Sequence, residues 1–194
     1  MNPVLSLLAA GAVLLAAGAA TAETGAPYAG WQQRGIKALS AQQIDDLAAG
    51  RGLSLALAAE LNGYPGPRHV LDLGGDLGLT EDQRAAFAPL FLEMQAEAQR
   101  LGAAILAAEA DLDHAFRSGR AGEAALRERL AELGALQAEL RYTHLRSHLT
   151  AKALLSEAQV ARYNTLRGYA AGSDPGNSHG GGSHGGHGLS PAQP

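Results

Sequence analysis

The sequence predicts an all-α protein whose centre is a long antiparallel helical hairpin with short flanking helices. Apolar residues recur at steps of three and four between residues 80 and 154, and one short Gly-containing break interrupts them. The helix-start sequence L-[ST]-x-x-Q occurs three times. Only 5% of the residues are aromatic, and Ala, Leu and Gly dominate the composition. This composition is typical of long helices that pack through small interfaces.

The first 22 residues are predicted to be an export signal. An apolar run from Leu5 to Ala20 is followed by Ala20-Thr21-Ala22, a small-x-small cleavage pattern that places the mature start at Glu23. Residues 1–6 contain no Lys or Arg, so an uncleaved anchor is the alternative. The apolar run of roughly 16 residues is shorter than the ~20 that a membrane span needs. We therefore expect a periplasmic protein without a membrane span in its mature form.

Residues 23–78 are expected to form a lead-in with short helices. Residues 23–38 show no clear periodicity. Ser40 and Gln43 form a capping box, which predicts a helix from Ala41 to about Ala49.

The rest of the lead-in predicts two more short helices. Ser54 can cap a helix that ends near Leu61, before the turn-forming residues 62–67. A further turn or two of helix is expected within residues 68–77.

The strongest periodic pattern predicts a helix from Glu81 to about Arg117, roughly 55 Å long at 1.5 Å per residue. Its apolar stripe consists of Phe87, Phe91, Met94, Ala98, Leu101, Ile105, Ala108, Leu112 and Ala115. Pro89 removes one backbone hydrogen bond and is expected to give this helix a hook.

The second long helix follows a break at residues 118–122 and extends to Leu154. Its stripe consists of Leu126, Leu130, Leu133, Leu136, Leu140, His144 and Ser147. Because the link is so short, the two helices are expected to lie antiparallel. Another capping box at Ser156 and Gln159 then opens a short helix that ends at Gly168. Residues 169–194 form a Gly/His-rich tail that is expected to be disordered.

The repeated motif carries a family resemblance. Two copies flank the predicted hairpin, and their defining residues are Leu79, Thr80 and Gln83 in one copy and Leu155, Ser156 and Gln159 in the other. In an exported, Cys-free chain this arrangement resembles the LTxxQ family, which contains the Spy/CpxP-like periplasmic proteins and the heavy-metal sensor and resistance proteins. The resemblance covers residues 79–168. It implies helix caps at the motif, a hooked hairpin and pairing into an antiparallel homodimer.

Composition and motifs exclude several other classes of protein. The chain has no cysteine, which rules out disulfides and Cys-based zinc sites. Its net charge is -4 and it has no basic stripe for nucleic acid. We find no catalytic triad, phosphate-binding loop or dinucleotide fingerprint, so we expect a protein that is not an enzyme and has no obligatory cofactor.

His144 and His148 are the first candidate metal ligands. They stand four residues apart on the second long helix, so both imidazoles lie on one face, as in helical zinc sites. If the hairpin turns near Arg120, Glu93 and Glu97 are the nearest carboxylates across it, and the set would suit Zn, Ni, Co or Cu. Alternatively, His144 is a packed core residue, and Glu93 and Glu97 pair with Arg100 or Arg146.

Three further histidines lie in the tail, at His179, His184 and His187. Imidazoles on a flexible chain can capture divalent ions weakly and reversibly, although the tail can also be a plain low-complexity segment.

The resulting hypothesis is a periplasmic divalent-metal-binding protein in heavy-metal sensing or resistance or in the envelope stress response. The alternative is an ATP-independent periplasmic chaperone of the Spy/CpxP type, which binds unfolded envelope proteins. A third possibility is an inhibitor that docks on a membrane sensor. The net charge of the hairpin is close to zero, which argues mildly against the chaperone function. Long-range attraction of client proteins benefits from a clear excess of positive charge.

Overall fold

The computed structural model of the chain describes residues 26–170. The predicted signal segment and the predicted tail from residue 171 onward lie outside the described residues. The tail prediction was wrong at its first residue, Tyr169, because this ring packs against buried core residues and its hydroxyl accepts a hydrogen bond from Arg167 at 3.0 Å. The chain divides into two units, residues 1–33 and residues 34–194. In the first unit, the described residues form a 3-10 turn at Trp31–Gln33, and the rings of Tyr28 and Trp31 meet edge to face.

The described part of the second unit is all-helical. Its helices are α1 (Ala41–Ala48), α2 (Leu57–Glu60), α3 (Pro67–Asp72), α4 (Glu81–Arg117), α5 (Glu123–Ala153) and α6 (Glu157–Leu166). The long helices α4 and α5 pack against each other as the predicted hairpin. No helix among residues 26–170 has the length and apolar character to cross a membrane.

The hairpin helices follow the sequence prediction closely. Helix α4 begins and ends at the predicted residues and is continuous through Pro89, so the hook stays a prediction. Its predicted stripe is buried or half-buried throughout. On α5 the prediction was wrong for one stripe residue, Leu130, whose surface is 49% exposed. It lies near the hairpin tip, beyond the core residue Leu133.

The three capping boxes form as predicted at α1, α4 and α6. The last two are also joined to each other. Gln83 Nε2 donates to Gln159 Oε1 at 2.9 Å, and Gln159 Nε2 donates to Gln83 Oε1 at 2.9 Å. Gln83 also donates to the carbonyl of Leu154, at 2.8 Å. The motif therefore ties the start of α4 to the α5–α6 corner.

The Ser54 prediction was wrong. Ser54 has a φ of 61° and the preceding Leu53 a φ of 45°, so this stretch is a left-handed turn, where a helix cap cannot form. Helix α2 begins later, at Leu57, and its N-cap Ala56 offers no side-chain hydrogen bond. The turn or two of helix predicted within residues 68–77 is present as α3, which begins one residue earlier, at Pro67.

Part of the lead-in covers the hairpin. Helix α1 packs on α4, and Leu47 joins Ala98, Leu101 and Ile105 in one core cluster. Helix α3 packs on both long helices, and its Val70 joins a second cluster with Phe87 and Tyr163. Because these contacts cover much of the stripe within one chain, homodimer pairing is not required to bury it and stays a prediction.

Candidate functional site

His144 and His148 are both buried on the inner face of α5, with 5% and 8% of their surface exposed. They lie one helical turn apart, on the side that also buries Leu140, Ser147 and Ala151. Two adjacent buried imidazoles are unusual in a core, because each carries polar nitrogens that need partners.

The ring of His148 is oriented by the lead-in. Its Nδ1 lies 2.7 Å from the backbone carbonyl of Tyr64, so Nδ1 carries the proton and donates it. In the neutral ring this leaves the lone pair on Nε2. Ligating histidines are commonly fixed in this way, through a hydrogen bond from the other ring nitrogen to a carbonyl.

His144 has a buried nitrogen without a partner. Its Nε2 is shielded from solvent and makes no hydrogen bond within the described residues. Burial lowers the pKa of His144, and the neighbouring His148 lowers it further. The ring is therefore neutral at pH 7, the form that binds a metal ion.

The carboxylate nearest to His148 is Glu60, at the end of α2. Its Oε2 lies 3.7 Å from His148 Nδ1 and accepts the Gly66 N–H at 3.1 Å. Its Oε1 accepts the Tyr163 hydroxyl at 2.5 Å and lies 3.5 Å from Arg167 Nε. Burial raises the pKa of Tyr163, and its hydrogen bond to Glu60 raises it further. We call Glu60, Gly66, His148, Tyr163 and Arg167 the Glu60 cluster.

Gly66 packs closely against His148. A Cβ at this position would lie 3.0 Å from Cε1 and 3.2 Å from Nε2 of His148, and 3.3 Å from Glu60 Oε2. A larger residue at this position would therefore push against the His148 ring and the Glu60 carboxylate. Gly66 therefore lets the lead-in approach both His148 and Glu60 closely.

Glu93 and Glu97, the carboxylates predicted as metal ligands, are not seen beside the two histidines in the described structure. Glu97 is bonded to Arg100 at 2.6 Å, and that hydrogen bond is the main cause of the lowered pKa of Glu97. Glu93 is exposed. Within residues 26–170 no three His, Asp or Glu side chains already form a group that could hold a metal ion. Ligation by Glu93 and Glu97 with the two histidines therefore stays a prediction.

The other histidines lie apart from this site or outside the described residues. His69 is half-buried near Asp72, and His114 is exposed at the hairpin tip, where its Nε2 lies 2.7 Å from Arg120 Nη2. The tail residues His179, His184 and His187 lie outside the described residues.

Glu60 was missed by sequence reasoning. Glu60 belongs to no sequence motif. It contacts Tyr163 and His148, which are far from it in the sequence. Comparisons with protein-family models, with curated proteins and with solved structures found no match.

Proposed function

We propose that this protein binds a divalent metal ion in the bacterial periplasm and acts in heavy-metal sensing or resistance or in the envelope stress response. The observation that carries the proposal is the buried, unpartnered Nε2 of His144, one turn from a His148 ring fixed through its other nitrogen. A buried polar atom without a protein partner is disfavoured unless something such as an ordered water or an ion satisfies it.

The ligands would be His144 and His148, with Glu60 as the carboxylate in place of Glu93 and Glu97. Two imidazoles and one carboxylate suit Zn, Ni, Co or Cu better than Mg or Ca, which prefer oxygen ligands. The ion would be bound and released, without turnover.

The test is calorimetric titration of the metal-free chain with Zn²⁺ and Ni²⁺. The tail histidines His179, His184 and His187 are replaced by Ser, so that the measured binding comes only from the folded part of the chain. We expect about one ion per chain, and His144→Ala should weaken binding at least about tenfold, or 1.4 kcal/mol. His114→Ala at the exposed tip is the matched control and should bind as the parent does.

A second pair of variants tests the choice of carboxylate. Glu60→Gln should weaken the ion's binding, whereas Glu97→Gln should leave it unchanged. If the His144→Ala chain binds as tightly as the parent, the helical site is wrong. If only the Glu97→Gln chain loses affinity, the ligand set predicted from the sequence is the better one.

A further inference from the structure

The C-terminal part of α5 presents a basic and apolar outer face. From Leu140 to Ser156 the chain contains no Asp or Glu, but it contains Arg141, Arg146 and Lys152. Its inner face is taken up by the two histidines and their buried neighbours, and the exposed side chains of Tyr142, Arg146 and Leu149 lie on the other side.

Large apolar side chains lie among these cations. Tyr142 is 54% exposed and Leu149 is 57% exposed, and their spacing of seven residues places them on one face of α5. Arg146 lies between them, and its guanidinium lies 5.7 Å from the centre of the Tyr142 ring. Exposed aromatic and Arg side chains side by side are the residue types that most often anchor protein partners.

The cations of this face differ from most others on the hairpin. Arg100, Arg127 and Arg129 are each bonded to a carboxylate. By contrast, Arg146 lies over an aromatic ring, and Lys152 Nζ lies 3.8 Å from the centre of the Tyr64 ring. The nearby carboxylate of Glu97 is already bonded to Arg100, so the face keeps an excess of positive charge.

A shallow groove adjoins this face where α5 meets α6. It has a volume of about 430 Å³, and its lining includes Lys152 with the apolar residues Leu155 and Val160, together with one carboxylate, Glu157. An apolar floor with a cation at its edge can take one side chain of a peptide whose acidic groups lie on the cations.

We propose that the outer face of α5, formed by Arg141, Tyr142, Arg146, Leu149 and Lys152, binds an acidic, partly apolar segment of a partner protein. Charge complementarity identifies this occupant, since carboxylates would pair with the arginines while apolar side chains cover Tyr142 and Leu149. The proposed metal site lies on the inner side of the same helix.

The test uses the purified chain in the presence of a chelator and fluorescein-labelled peptides of roughly a dozen residues. The first peptide alternates Glu with Leu, the second replaces every Glu by Lys, and the third replaces every Leu by Ser. Fluorescence anisotropy should show the first peptide binding at least about tenfold more tightly than either of the others. Raising the salt from about 0.05 to 0.5 M should weaken this binding.

Variants locate the surface. Arg141→Glu/Arg146→Glu should lower affinity for the first peptide at least about tenfold, and Leu149→Ser should lower it severalfold. Arg127→Glu, at an exposed position near the other end of α5, is the matched control and should bind as the parent does. Circular dichroism checks that every variant keeps its helices.

Several results would overturn the proposal. One is equal binding of the Glu and Lys peptides, and another is no loss of affinity in the double variant. Two more would assign the face to another occupant: sedimentation of the parent but not the double variant with phosphatidylglycerol vesicles, or self-association that only the parent shows, in each case without peptide binding.

Discussion

Glu60 is the most buried of the described carboxylates in the lead-in. Its side chain is 8% exposed, and a buried carboxylate is tolerated only when donors surround it. The Tyr163 hydroxyl and the Gly66 N–H provide two donors from different parts of the chain. At the scale of single residues, this cluster joins the lead-in to α5 and α6.

The Tyr163 hydroxyl is therefore expected to matter for stability. Tyr163→Phe removes a short hydrogen bond to a charged acceptor and should lower the free energy of unfolding by about 2 kcal/mol. Urea denaturation measures this change. Tyr142→Phe, at an exposed ring, is the control and should stay within about 0.5 kcal/mol of the parent. Equal effects of the two substitutions would contradict the described role of Glu60.

His69 predicts a pH dependence of stability. Burial lowers its pKa from the usual 6.5, and Arg167 lowers it further. The unfolded chain therefore takes up this proton at a higher pH than the folded chain. The contribution of His69 is complete above pH 6.5 and is lost as the pH falls from there through the lower folded pKa. His144, whose pKa is also lowered, acts with the same sign.

Urea denaturation at about pH 7.5 and pH 5.5, with a chelator present, measures this dependence. The free energy of unfolding should be smaller at the lower pH, and His69→Gln should reduce the difference. A His69→Gln chain with the parent's full pH dependence would show that His69 titrates normally.

At the scale of helices, α1 and α4 approach each other closely at Gly102. A Cβ at Gly102 would overlap the carbonyl oxygen of Leu47 and come within 2.7 Å of its carbon. Gly102→Ala should therefore destabilise the fold by about 3 kcal/mol, because backbone atoms cannot move aside without separating the helices.

Gly134 provides the matched control for this substitution. It lies within α5 with nothing near its Cβ position, so Gly134→Ala should stabilise the protein by up to about 0.8 kcal/mol through helix propensity. Thermal unfolding of both variants checks the pair. Stabilisation by both substitutions would mean that α1 does not pack on α4 as described.

The paired glutamines of the motif predict an energetic coupling between α4 and α6. A double-mutant cycle of Gln83→Ala and Gln159→Ala should give a coupling energy of about 1–2 kcal/mol, because each amide bonds the other. Gln43 belongs to a capping box without such a partner. A cycle of Gln43→Ala with Gln159→Ala should be additive within about 0.5 kcal/mol. Additivity in the first cycle would contradict the amide pair.

Local rules predicted the helices better than the connections between them. The capping boxes and the apolar periodicity located α1, α4 and α6 to within one or two residues, because both depend on neighbours in sequence. The turn at Leu53 and Ser54 escaped prediction, since neither residue is typical of a left-handed conformation. Glu60, and the contact between Gln83 and Gln159, depend on tertiary packing that no local pattern encodes.

At the scale of the molecule, the lead-in contributes to both the core and the surroundings of the histidines. It covers part of the hairpin's apolar stripe and supplies Glu60 and Tyr64 to the surroundings of His148. The chaperone alternative stays a prediction. It is checked by suppression of aggregation of an unfolded client by the metal-free chain, which the metal-binding proposal does not require.

The most direct test of metal binding by His144 and His148 is the visible absorption of bound Co²⁺. With the three tail histidines replaced by Ser, addition of Co²⁺ should produce ligand-field bands that saturate at about one equivalent, because imidazole ligands shift the spectrum away from that of the hydrated ion. The bands should disappear in His144→Ala and persist in His114→Ala. If the spectrum stays that of free Co²⁺, or if His144→Ala leaves the bands unchanged, His144 and His148 do not form a metal site.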